Sequence, residues 1–88
     1  MSKQDQIYPS PTKELAAQRK SLAPKPAEAF KALSQSVFAE GALPAKTKQL
    51  IAVAVAHVTQ CPYCIRGHTS TALQQGATAE EIMEAIWV

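Results

Sequence analysis

Two thiols and an imidazole fall within eight consecutive residues, Cys61-Pro62-Tyr63-Cys64-Ile65-Arg66-Gly67-His68. If the chain is helical from Pro62, Cys61 takes the N-cap, Cys64 follows one turn on and His68 another, so the three share a face. Pro62 suits the first helical position, where its fixed φ is appropriate and its missing N–H is not needed. The unpaired N–H groups and positive dipole end there favour the thiolate, which is the reactive form of cysteine. A dithiol so placed can open and close as a disulfide while His68 exchanges a proton with the Cys64 sulfur. The helix start favours Cys61 as the attacking sulfur, and proximity to His68 favours Cys64.

Plainer readings compete with this one. Free cysteines are often small buried hydrophobes, and a lone histidine is often a satisfied packing residue. The clustering of all three tips the balance toward redox chemistry. Cysteines three apart close too short a loop to restrain the unfolded chain. A zinc site would need a fourth ligand beside Cys61, Cys64 and His68, for which His57 is the one candidate, so no metal and no cofactor is expected. Tyr63 reads as a packing or shielding residue and Arg66 as a solvated one.

The elements that must hold this cluster are helical. An 88-residue chain with 47% hydrophobic residues supports one modest core. Residues 1–11, with Pro9 and Pro11 and no apolar period, read as an N-terminal arm, and residues 12–88 as a single helical domain. Ser10 or Thr12 can cap a first helix running to about Leu22. Pro26 opens a second, with Phe30, Leu33, Val37 and Phe38 expected in the core and Gly41 as its stop. A third runs from Pro44 to Thr59 or Gln60. Its segment Leu50–Ala56 is apolar nearly all round, so burial on several sides and a homo-oligomer are expected. The cysteine helix reaches Gln75, with Gly76 as its C′ residue. Thr78 and Glu81 form a capping box that opens a last helix through Ile82, Ala85 and Ile86. That helix meets no stop signal before Val88 and is expected to be truncated. With no alternating strand pattern and no hairpin turn, the fold class is all-α.

Nine basic against seven acidic side chains, scattered along the chain, leave no stripe for nucleic acid. No apolar run approaches the roughly 18 residues of a spanning helix, and the first residues lack a leader's apolar core. No membrane association and a cytoplasmic location are therefore expected.

From Leu43 onward the chain resembles the carboxymuconolactone decarboxylase-like family, and within it the alkylhydroperoxidase D-like branch. Leu43-Pro44-Ala45-Lys46-Thr47-Lys48, Cys61-x-x-Cys64-x-x-x-His68 and Gly76-Ala77-Thr78-x-Glu80-Glu81-Ile82 carry the resemblance, in the expected order. It implies an alkylhydroperoxidase D-like helical protomer assembled as a homotrimer or homohexamer. It also implies a peroxiredoxin-type antioxidant activity, in which the dithiol reduces a hydroperoxide or disulfide substrate and is recharged by a thiol electron donor, which in that branch is a lipoylated protein. Cys61 and Cys64 would be the redox pair, closing an intramolecular disulfide, and His68 the proton-transfer residue; the comparison inclines the first attack toward Cys64. In the branch, the relay has a glutamate twelve residues before the first cysteine, and this chain has Gln49 there. An amide exchanges hydrogen bonds but does not titrate, so the relay is altered and His57 becomes an alternative base. Family members that decarboxylate a muconolactone typically lack the Cys-x-x-Cys, which argues against that activity here. The alternative function is a catalytically weak redox-sensing or binding oligomer on the same scaffold.

Overall fold

Thr12 starts the first helix by an ordinary N-cap: its hydroxyl oxygen accepts the Leu15 N–H at 3.1 Å. The computed structural model of the protein describes residues 8–88, so most of the expected arm at residues 1–11 lies outside the described residues. Those residues form five α-helices and no strand: α1 Lys13–Leu22, α2 Pro24–Phe38, α3 Ala45–Thr59, α4 Pro62–Gln74 and α5 Ala79–Trp87. α2 begins two residues before the expected Pro26. Both Pro24 and Pro26 fit its first turn, where a backbone N–H has no helical partner to lose.

The chain divides into two compact units, one ending at Ser34 and the other running from Gln35 to Val88. The second unit holds the core and the cysteine cluster. There α3 packs on α4 and α5, which also touch each other. Val53, Ala72, Ala77 and Ile82 form the buried centre, with Leu50 and Ile86 against it. Two of these four are alanines, which lets the helices approach closely but buries little apolar area.

The joints are closed by local hydrogen bonds. α4 ends in a Schellman motif: Ala77 N–H reaches the Ala72 carbonyl at 2.9 Å and Gly76 N–H the Leu73 carbonyl at 3.1 Å. Gly76 sits there at φ +92°, where a side chain would be strained. The capping box forms as expected, with Glu81 N–H on Thr78 Oγ1 at 3.0 Å and Thr78 N–H on Glu81 Oε1 at 2.8 Å. Lys46 Nζ lies 3.1 Å from Glu81 Oε2, tying the start of α3 to the start of α5. The Thr78 N–H, then Lys46, hold the Glu81 carboxyl below the usual glutamate range.

Two burial expectations need correction. Phe30, Leu33 and Val37 are 72%, 60% and 50% exposed rather than core, and Phe38 alone of that stripe is half-buried. α3 is covered mainly along Gln49, Val53 and Ala56, while Ile51, Val55 and Val58 are 48%, 53% and 83% exposed. The pattern marked these faces as apolar. In one chain, however, α4 and α5 are the helices packed on α3, and they cover one side of it.

Candidate active site

The site is built at the corner between α3 and α4. α3 ends in a second Schellman motif, with Cys61 N–H on the Ala56 carbonyl at 3.2 Å and Gln60 N–H on the His57 carbonyl at 3.3 Å. Gln60 takes the left-handed conformation at φ 57°, ψ 43°, a position that favours glycine. Cys61 then caps α4: its Sγ accepts the Cys64 N–H at 3.3 Å, and its carbonyl accepts the Ile65 N–H at 2.9 Å. One residue thus closes α3 through its backbone N–H and opens α4 through its sulfur.

Cys61 and Cys64 are joined as a disulfide across a Cα–Cα distance of 5.3 Å. Cys61 is half-buried and Cys64 exposed. Cys64 and His68 line the same hollow of about 430 Å³, which runs along α3 past Lys48, Ile51, Val55 and Thr59 and is bounded by Val37 and Phe38. The imidazole is held on two sides. Its Nδ1 lies 2.9 Å from Gln49 Oε1, and its ring stacks on Phe38 with centroids 5.2 Å apart and planes at 28°. With an amide oxygen facing it, Nδ1 carries the proton and donates; Nε2 is left as the basic nitrogen. Gln49 is 5% exposed, and this bond satisfies its oxygen.

The structure therefore brings together Cys61, Cys64, His68 and Gln49. It places His57 elsewhere: Nδ1 of His57 is 2.7 Å from the Val53 carbonyl, one turn back on α3, and the ring lines a different hollow with Val58, Ile86 and Val88. Among the described residues, no three His, Cys, Asp or Glu side chains gather as a metal site. No helix of the described residues is long and apolar enough to cross a membrane.

Two residues at the hollow were not singled out by the sequence. Phe38 reads as core there, and Lys48 only as the last residue of the Leu43–Lys48 motif, with no role in the site. The signal for Lys48 was present in the period: Lys48, Ala52, Val55 and Thr59 recur at three- and four-residue steps, the stripe that faces the hollow. Phe38 carries no such signal, because its partner His68 lies on a helix distant in sequence.

The arrangement has relatives. A protein of Paracoccus denitrificans described as "Uncharacterized protein 4 in cox locus" is 70% identical over 61 residues, 69% of this chain and 55% of that protein. An uncharacterized protein of Cupriavidus necator is 40% identical over 63 residues, 72% of this chain and 56% of its own length. Among solved structures, the apo form of a carboxymuconolactone decarboxylase family protein from Legionella pneumophila superposes with a TM-score of 0.78 at 39% identity, covering 82% of this chain and 64% of that one. The chain thus spans little more than half the length of the two sequence relatives. The pattern of the carboxymuconolactone decarboxylase family matches residues 24–88, from the start of α2 through the Cys-x-x-Cys corner to the end of the chain, and the protein belongs to that family.

Proposed function

We propose that the protein is a thiol-dependent peroxidase of the alkylhydroperoxidase D-like kind. The observation that carries this reading is the placement of Cys64 and His68 on one hollow, with Cys61 bonded to Cys64 behind it. In the reduced protein, Nε2 of His68 takes the Cys64 proton, and the thiolate attacks one oxygen of the hydroperoxide. The O–O bond breaks, Cys64 becomes a sulfenic acid, and the leaving alkoxide takes a proton from His68 to depart as an alcohol. Cys61, its sulfur capped by the Cys64 N–H, then attacks the sulfenic sulfur, and water leaves as the disulfide closes. The sum is one hydroperoxide and two thiols converted to one alcohol, one water and one disulfide. A dithiol donor restores the pair, and a lipoylated protein is the donor this reading favours.

The exposed Phe30, Leu33 and Val58, which lie outside the hollow, support assembly as a homotrimer or homohexamer, in which a second copy would cover them. The test is direct. Reduced protein is mixed with one equivalent of an organic hydroperoxide, and free thiols and intact mass are followed. Loss of both thiols with a two-hydrogen mass decrease, abolished in Cys61→Ser and Cys64→Ser, is expected. Thiols that persist no less than those of free cysteine refute the proposal.

A further inference from the structure

The hollow beside Cys64 is almost wholly apolar in its walls, yet it holds one cation. Val37, Phe38, Ile51 and Val55 supply aliphatic and aromatic surface, and Lys48 stands in the same lining. Lys48 Nζ donates to the Ala39 carbonyl at 2.7 Å. That bond orients the ammonium and uses one of its three N–H groups, but a neutral carbonyl does not cancel its charge. Among the described residues, no carboxylate lies within ion-pair distance of Lys48; the ion pair there is Lys46 with Glu81. The Lys48 side chain is half-buried along the apolar trough while its ammonium, without a carboxylate partner, stays at the exposed edge, which gives an anionic ligand a charge partner beside an apolar wall.

The dimensions define that ligand further. Lys48 and Ala56 both line the hollow, and the Ala56 carbonyl is bonded to the Cys61 N–H at the corner. The helix rises about 12 Å over those eight residues at about 1.5 Å each. We propose that Lys48 is a specificity residue that anchors the carboxylate of an aliphatic, acid-terminated hydroperoxide, its chain lying along Ile51 and Val55 and its peroxide end at Cys64 and His68. This rests on the peroxidase reading for the reacting group, while the carboxylate anchor itself does not.

The test uses non-reacting probes, so that anchor and chemistry fail separately. Octanoate and 1-octanol are titrated into the full chain in its disulfide form, and the shifts of the Cys64, His68 and Lys48 amides are followed by NMR. Octanoate is expected to bind about five- to tenfold more tightly than the alcohol, a preference that shrinks as salt rises. Lys48→Met removes the preference and Lys48→Arg retains it. Equal binding of acid and alcohol, a salt-independent preference, a preference surviving in Lys48→Met, or shifts confined to residues away from the hollow overturns the proposal. The salt series in the native protein decides the matter even if a variant does not fold. Thiols inert to hydroperoxide in a protein that still prefers octanoate would sink the peroxidase reading and leave the anchor standing.

Discussion

Replacing Gln49 with glutamate tests whether the imidazole of His68 works in proton transfer. The side chain is 5% exposed, and its Oε1 already lies 2.9 Å from His68 Nδ1, so the substitution changes charge with almost no change in shape. A neutral acceptor holds the ring in its Nδ1–H tautomer; a carboxylate also stabilises the imidazolium that forms when Nε2 takes the Cys64 proton. Hydrogen bonds to charged groups contribute about 1.5–3 kcal/mol against about 0.5–1.5 for neutral ones, a difference of about 1–1.5 kcal/mol. If that difference is expressed in the transition state, turnover rises about five- to tenfold, since about 1.4 kcal/mol corresponds to tenfold. The assay is steady-state reduction of an organic hydroperoxide with an excess dithiol, comparing wild type, Gln49→Glu and Gln49→Ala. The alanine variant leaves the Nδ1–H unpaired and the ring held by its stack on Phe38 alone, and should be slower than wild type. Because the introduced carboxylate would be a buried, unpaired charge whenever His68 is neutral, the faster variant should also be the less stable one. Equal turnover in all three, with folding and the Cys61–Cys64 disulfide intact, would remove His68 from the relay.

Three further outcomes follow from the scaffold. Gln60→Gly relieves the left-handed residue that ends α3 and should raise stability by about 0.5–1 kcal/mol, read as a higher midpoint in urea; a lower midpoint would contradict the strain assigned to it. Val53→Ala at the fully buried centre should cost about 2–3 kcal/mol, and a loss below about 1 kcal/mol would mean that α3 is not the packing centre of the second unit. The Glu81 carboxyl is held below its ordinary value of 4.5, so its contribution to stability is fully present above that value and is lost as pH falls below it. Glu81→Gln should therefore flatten the acid limb of a pH–stability curve, and an unchanged limb would refute the coupling.

Much of the helical framework could be read from local chemistry. Thr78 with Glu81, Gly76, and Pro62 after Cys61 are signals that act within one turn, and each bounds the helix it was expected to bound. What failed was the inference from apolarity to burial. Phe30, Leu33 and Val37 repeat with a helical period, but a period says which residues share a face and not what covers it. The site divides in the same way. The spacing of Cys61, Cys64 and His68 follows from a single helix, whereas the bond from His68 to Gln49 and the ring contact with Phe38 are made between helices. The resemblance to the family pointed at Gln49; nothing pointed at Phe38. His57 illustrates the converse hazard: it lies four residues before Cys61, but its ring is rotated off the hollow and its Nδ1 is bonded back to Val53.

The doubly bonded Cys61 at the α3–α4 corner bears on how the site comes into being. Gln49, Cys61, Cys64 and His68 all belong to one helix–corner–helix segment whose two arms are joined through Gln60 and Cys61 alone. Bringing them together closes only a short loop, so the constellation can assemble at the rate of a local helical hairpin, without waiting for distant pairings. The order of the site is then governed by the local opening of that hairpin.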